Sequence, residues 1–381
     1  MNYDFYFYIG LYFLFSVFLS VAPGITFYRK YIFFVIGPLF VYTVSPILLC
    51  VVILFIVANW FGLNHSVQSN SKKYSFGLLL LFLVIFLVLR FYETSGLTKN
   101  IFVLPGLSFI CFKFIESYFF MLRTKQKRFD VLEWVMFYTY PPLFFAGPLI
   151  TRKAFADIVT QPYPQYDYTL NFLRLGFGIF LKVIVVDQLL KGLWQPVLGK
   201  DPSYFMLGLM AYMIAYLDLK AYADIVISLS SLTGYKLPEN LNSPWKATNI
   251  SDFWGRWHIT VSNWCTQNVY YPFFGKTKKP YLSILASMSF MGLWHGFRAG
   301  WIFWGLSHAI ALIIYSEYSK RSFSRSLKRK NNFSVKMLGW AVTQIFIIFI
   351  YGISWSLNSM SSDRFLRNLI ASLFTNIKNV I

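Results

Sequence analysis

Three stretches of the chain, Phe5–Tyr28, Tyr31–Asn64 and Met337–Ser362, each run for more than twenty residues without one charged side chain. A bilayer core about 30 Å thick takes roughly 20 helical residues to cross, so these runs are long enough to span it. Hydrophobic residues make up 57% of the chain and charged residues 13%, about half the charge of a soluble domain. Aromatics at 21% also exclude a disordered chain. The expected fold class is an all-α polytopic membrane protein.

The formal net charge is +20, yet this is not the footprint of a nucleic-acid binder, which needs basic residues clustered on a polar face. Here they flank apolar runs, as cytoplasmic loops facing anionic lipid do. Lys320, Arg321, Arg325, Lys328, Arg329, Lys330 and Lys336 follow one another with no acid between Glu317 and Asp363. The positive-inside rule makes that loop cytoplasmic, and the preceding hairpin returns Lys276, Lys278 and Lys279 to the same side. Cys50, Cys111 and Cys265 form no disulfide framework and have no zinc-ligand spacing, so no metal is expected. Met1–Asp4 lacks the basic flank of a cleavable leader, so Phe5–Tyr28 reads as a retained first span.

Further apolar segments are Phe76–Leu89, Ile101–Leu122, Trp134–Ile150, Phe172–Leu190, Tyr204–Leu232, Pro280–Trp294, Gly300–Tyr315 and Met337–Leu357. Pro38 and Pro46 predict a break within Tyr31–Asn64. Ile101–Leu122 holds Lys113 and Glu116, which are tolerated only against protein or a watery cavity. In all, about ten or eleven transmembrane or re-entrant helices are expected. They form a single integral membrane domain over residues 1–381. No internal repeat is visible, which leaves the inverted symmetry of many transporters without support.

Ionisable groups at membrane depth are costly and mark candidate sites. His295, between Gly292 and Gly296, lies 16 residues from Lys279, about 24 Å along a helix and past the midplane. A desolvated neutral imidazole there can act as a base, or it can simply bridge helices. His258 closes the run Asp252-Phe253-Trp254-Gly255-Arg256-Trp257-His258, which suits an interfacial or re-entrant helix lining a mouth, or an amphipathic helix without chemistry. His308 sits one helix further on, where pairing with a neighbour would explain it. Asp218 and Asp224 fall inside an apolar span. A Lys220–Asp224 ion pair and a carboxylate-lined tunnel are both open readings. Cys265 follows His258 by seven residues, so a thiolate–imidazole nucleophile is conceivable beside the plainer reading of a small buried apolar residue.

The run Leu237-Pro238-Glu239-Asn240-Leu241-Asn242-Ser243-Pro244, then Asp252 to Ser262, Met291-Gly292-Leu293-Trp294-His295-Gly296 and Trp304-Gly305-Leu306-Ser307-His308 resembles the membrane-bound O-acyltransferase family. The similarity lies with its bacterial branch of alginate and peptidoglycan O-acetyltransferases and teichoic-acid D-alanyl transferases. Weaker matches are Leu104 to Phe109, Ala146-Gly147-Pro148 and Leu181-Lys182-Val183. The resemblance implies a ring of tilted helices around a central tunnel. Residues 102–315 would form the catalytic core, with 1–101 and 316–381 as peripheral helices.

It further implies that His295 is catalytic and that His258 serves the donor side. Asp218, Asp224, Asn242, Trp254, Arg256, Trp257 and Trp294 are candidates for lining the substrate tunnel. The donor would be an acyl-CoA or acyl-carrier-protein thioester, with no permanently bound cofactor. The acceptor would be a hydroxyl of an extracytoplasmic glycan, and the setting the bacterial cytoplasmic membrane. An acyl carrier protein or a secreted acyltransferase would be the partner. After Ser262-Asn263-Trp264 the family usually shows an Arg-Asp pair, where this chain has Cys265-Thr266-Gln267-Asn268. Tyr270-Tyr271-Pro272-Phe273-Phe274-Gly275 and Ala146-Gly147-Pro148 look like the acetyltransferases, whereas the overall length is nearer the teichoic-acid enzymes. O-acetylation is thus the leading expectation, and D-alanyl transfer the alternative. A glycan or lipid flippase, prompted by Asp218, Asp224 and Lys182, is the alternative from another class.

Overall fold

The computed structural model describes residue 10 and residues 25–69, 73–95, 106–124, 130–144, 147–160, 167–198, 202–322 and 333–359. Helix α1, Ile25–Val44, contains Pro38 and stops before Ser45. There the Ser45 hydroxyl caps α2, Pro46–Gln68, with proline at the first helical position where its missing N–H costs nothing. The break expected within Tyr31–Asn64 therefore falls at Ser45-Pro46. Arg29 and Lys30, the charges that separate the apolar runs Phe5–Tyr28 and Tyr31–Asn64, lie within α1. Arg29 is buried and donates to the Gly234 carbonyl at 3.1 Å. Apart from residue 10, residues 5–24 of the expected first span lie outside the described residues, as does the tail 363–381.

Helix α3, Lys73–Ser95, extends the apolar run around Phe76–Leu89. Helix α4, Leu107–Thr124, carries Lys113 and Glu116 into the interior, where both are buried. The Lys113 ammonium reaches the Tyr138 carbonyl at 3.4 Å, and the Tyr138 hydroxyl donates to Asn59 at 3.2 Å. Protein groups thus surround these polar residues, as burial at membrane depth requires.

One expected span is not a span. Trp134–Ile150 divides into a short helix α5, Val131–Thr139, a 3-10 turn Pro141–Leu143 and, at residues 147–151, a non-helical stretch that leads into α6, Arg152–Thr160. Pro141 and Pro142 remove two backbone donors in succession and end the helix. The apolar character instead serves the core, in which Trp134, Phe137, Tyr138 and Leu143 are buried.

Helix α7, Tyr168–Phe180, continues through the π-helical turns Leu181–Leu190 into α8, Lys191–Leu198. Then come α9, Tyr204–Leu232, and a segment of short elements. These are a 3-10 turn Pro244–Lys246, α10 (Ile250–Trp254), α11 (Ile259–Cys265), π-helical turns Thr266–Tyr270 and α12 (Tyr271–Thr277). The chain continues through α13, Pro280–His295, α14, Ala299–Lys320, and α15, Phe333–Ser359.

Among the described residues, five helical stretches are long and apolar enough to cross a membrane: Pro46–Ser66, Tyr168–Trp194, Tyr204–Leu232, Ala299–Lys320 and Phe333–Ser359. Their outward faces display Leu54, Leu173, Ile314 and Leu338, which lipid solvates at no cost. The protein is an all-α, multi-pass membrane protein.

Lipid tails are as apolar as leucine, so close packing rather than hydrophobic exclusion holds such helices together. Where α13 meets α14, a Cβ on Gly292 would lie 2.5 Å from the Trp301 carbonyl oxygen, and one on Gly305 would lie 2.6 Å from that of Met288. Glycine alone permits that approach. The same hairpin brings Lys320 to the Tyr281 hydroxyl at 2.9 Å, so its basic residues gather at one end and His295 lies at the other. Two apolar clusters result. One is built mainly on α1–α6, the other on α9–α15, and Trp294 packs against both.

Candidate active site

The segment from Asn240 to His258 folds back on itself as a short antiparallel pairing. The Ile259 N–H donates to the Asn240 carbonyl and the Asn242 N–H to the Arg256 carbonyl, both at 2.9 Å. Between the two arms, α10 is capped by Asn249, whose side chain accepts from the Asp252 N–H at 2.8 Å. Asp252 in turn accepts from the Thr248 N–H at 3.1 Å and pairs with Arg256 at 2.6 Å. Arg256 also donates to the Asn242 carbonyl at 3.2 Å, so its guanidinium is spent on holding the loop closed.

The turn into α11 places His258 in the left-handed region, φ 44°. Residues other than glycine adopt it rarely, and such positions concentrate at functional sites. Its side chain is partly buried, and its Nδ1 lies 3.2 Å from Asn240 Oδ1. That oxygen also accepts from the Thr260 hydroxyl at 2.8 Å and the Thr260 N–H at 3.3 Å. Residues 233–279 are turns and short helices rather than spans. Desolvation there lowers the His258 imidazole to about 4, so the ring is neutral at pH 7.

His295 is the last residue of α13 and is also partly exposed. Its ring stacks on Trp301 with centres 4.6 Å apart and planes at 22°, and meets Trp304 edge-on at 5.3 Å. Trp294 contacts both histidines, 4.6 Å from His295 and 6.2 Å from His258, centre to centre. Those two contacts laid end to end bound the separation of the imidazole centres at about 10.8 Å. Phe112 of α4 packs edge-on against Trp294 at 5.2 Å.

The remaining candidates divide. Trp257 is buried and stacks on Phe253 at 5.7 Å with planes 13° apart, forming a wall beside His258. Trp254 lies one layer deeper against Trp304 and His308. His308 does not pair with a polar neighbour. It is fully buried among Phe253, Trp254, Trp304 and Phe346, and neither ring nitrogen meets a hydrogen-bonding partner among the described residues.

Asn242 is exposed and takes part through its backbone, whereas Asn240, absent from the candidate set, is the asparagine that meets His258. Asp218 pairs with Lys182, and Asp224 pairs with both Lys220 and, at 2.8 Å, Arg174. Cys265 is buried, and desolvation raises its thiol, which disfavours the thiolate.

Comparison with known sequences bears on this arrangement. The sequence profile of the membrane-bound O-acyltransferases matches residues 19–361. The chain belongs to that family. Similar proteins include the peptidoglycan O-acetyltransferase of Helicobacter pylori, 32% identical over 57% of this chain and 42% of that protein. A probable alginate O-acetylase of Pseudomonas fluorescens is 27% identical over 74% of this chain and 60% of its own length. The teichoic acid D-alanyltransferase of Streptococcus thermophilus is 25% identical over 69% of each chain. The chain thus spans about half the length of the first two of these relatives.

Proposed function

We propose that this member of the membrane-bound O-acyltransferases moves an acyl group, acetyl in the first instance, from a cytoplasmic thioester to hydroxyls of an extracytoplasmic glycan. The observation that carries the reading is the pair of partly exposed imidazoles, His258 and His295, both in ring contact with Trp294 in a multi-pass membrane protein. Acyl transfer to an alcohol needs a base at the hydroxyl, which a neutral imidazole supplies. His295, about 24 Å along α13 from its basic end, receives the hydroxyl proton as the oxygen attacks the thioester carbon. The tetrahedral oxyanion then collapses, the C–S bond breaks, and the sulfur leaves as thiolate towards the cytoplasm. Thiols have pKa values near 8.5, so that departure needs little help from an acid. His258 serves the donor side.

The setting is the bacterial cytoplasmic membrane with the basic end of the α13–α14 hairpin inside. The donor is acyl-CoA or an acyl carrier protein, and a secreted acyltransferase is a further candidate partner. D-alanyl transfer to a teichoic-acid-like polymer is the second reading, favoured by the relative matched over 69% of both chains.

The test is mass spectrometry of surface polymers from cells carrying wild-type protein, His295→Gln or no protein. Loss of an acetyl increment with both defects supports the first reading, and loss of an alanyl increment the second. Ester content unchanged by His295→Gln overturns the assignment.

A further inference from the structure

The hydrogen bonds around Asn240 determine which nitrogen of His258 faces the reacting centre. The atom of the Asn240 side chain nearest the Thr260 backbone N–H, at 3.3 Å, must be the amide oxygen, because a backbone N–H only donates. The same oxygen lies 2.8 Å from the Thr260 hydroxyl. That hydroxyl accepts the Leu149 N–H at 3.0 Å, which leaves its own hydrogen to point at Asn240. An oxygen already receiving two donors offers His258 only lone-pair density, so the ring nitrogen 3.2 Å away, Nδ1, must carry the hydrogen.

Asn240 cannot swing away. Its side chain is buried, its carbonyl is tied to the Ile259 N–H at 2.9 Å, and the residue between His258 and Thr260 belongs to α11. The left-handed φ of His258 turns its ring back towards this oxygen instead of along the helix.

We infer that Asn240, backed by Thr260 and the Leu149 backbone, is a positioning residue that holds His258 as the Nδ1–H tautomer and leaves Nε2 without a hydrogen. This rests on the acyl-transfer reading for its consequence, but the tautomer itself does not depend on that reading. A ring so held has no hydrogen on Nε2 to give a departing thiolate. It works as an acceptor, taking a proton or a hydrogen bond from the reactants on the donor side.

The experiment uses the full chain in lipid nanodiscs with 15N-labelled histidine. The chain has only four histidines, and the His258 signals are assigned by their absence in His258→Gln. The expected spectrum at neutral pH shows His258 with a protonated Nδ1 and an unprotonated Nε2. Asn240→Ala abolishes that asymmetry and mixes the two tautomers. Asn240→Asp keeps an acceptor at the same place and restores the Nδ1–H form, which separates loss of the contact from loss of fold.

In ester-transfer assays on the same preparations, Asn240→Ala lowers kcat by about 10- to 100-fold while leaving the donor KM within about twofold, the pattern of a misdirected catalytic nitrogen. Thr260→Val has a smaller effect in the same direction. A His258 ring found as the Nε2–H tautomer in the wild type overturns the inference, whatever the enzyme's substrate. So does an Asn240→Ala variant with an unchanged spectrum. A correct tautomer in a protein that transfers no acyl group would instead overturn the functional reading alone.

Discussion

Two polar constellations lie within this apolar protein, and they are built in opposite ways. Along the α7–α9 seam every charge has an opposite partner close by. Arg174 bridges Asp224 and Glu239, Lys220 joins Asp224 from the other side, and Lys182 lies between Asp218 and Asp187. Around Trp294, by contrast, His258 is anchored through one nitrogen, and His295 is stacked in an aromatic slot with part of its ring exposed. The first arrangement consumes its polar groups in holding helices together, and the second sets two partly exposed imidazoles against one indole. The charges that prompted a transport reading belong to the first kind, whereas chemistry needs the second.

The sharpest way to break this contrast is to remove one member of each. His295→Gln is expected to lower ester formation by at least about 100-fold, the scale of a lost general base, with the amount of folded protein in the membrane unchanged. Asp224→Ala is expected to do the reverse. Asp224 is 1% exposed, whereas Arg174 and Lys220 keep 25% and 31% of their side chains exposed, so its loss leaves two partly solvated cations without it. Removing one side of a fully buried pair costs about 3–5 kcal/mol, and partial solvation together with Glu239, which still holds Arg174, puts the cost below that range. Thermal unfolding in detergent and the yield of monodisperse protein would register it. An Asp224→Ala protein that is fully stable yet inactive would move the carboxylate from scaffold to site.

A smaller effect is expected where the two regions meet the helix scaffold. Gly292→Ala places a methyl 2.5 Å from the Trp301 carbonyl oxygen, a backbone atom that cannot turn aside. Helices α13 and α14 must then part by several tenths of an ångström, at a cost of about 1–3 kcal/mol. Because Trp301 is the ring on which His295 stacks, the strain reaches the site directly, and activity should fall by more than the stability loss accounts for. Parallel measurements of melting temperature and ester transfer would separate the two. Equal losses would make Gly292 a packing residue alone.

Much of this was legible in the residues, for reasons that also show where legibility ends. Tyr204–Leu232 coincides with α9, and Gly300–Tyr315 lies within α14, because an unbroken apolar run has one cheap solution in lipid. Trp134–Ile150 was equally apolar but carries three prolines, and its burial inside protein rather than lipid left no trace in composition. The Lys220–Asp224 pair follows from helical spacing. Arg174, fifty residues away, joins it only because α7 and α9 pack side by side, and sequence spacing says nothing of that. Asn240 stayed hidden for the same reason. It sits 18 residues before His258 and meets it through an antiparallel turn-back, so only its place in the Leu237–Pro244 motif could have pointed to it.

The smallest expected effect concerns the residue that would make the chemistry covalent. The seven-residue spacing that put Cys265 on the face of His258 assumed one helix through both. His258 instead precedes α11 in a left-handed turn, and Cys265 closes that helix inside the aromatic cluster formed with Trp264 and Trp257. A thiol whose burial raises it above its ordinary range is protonated at neutral pH, and the proton has nowhere cheap to go. Cys265→Ala should therefore leave turnover within about twofold of wild type, at a stability cost of roughly 1 kcal/mol for the lost sulfur. An acyl-enzyme trapped on Cys265 after quenching with acid, absent in Cys265→Ala together with all activity, would replace direct transfer by two successive steps. It would also shift the boundary between the polar groups that hold this protein together and those that react.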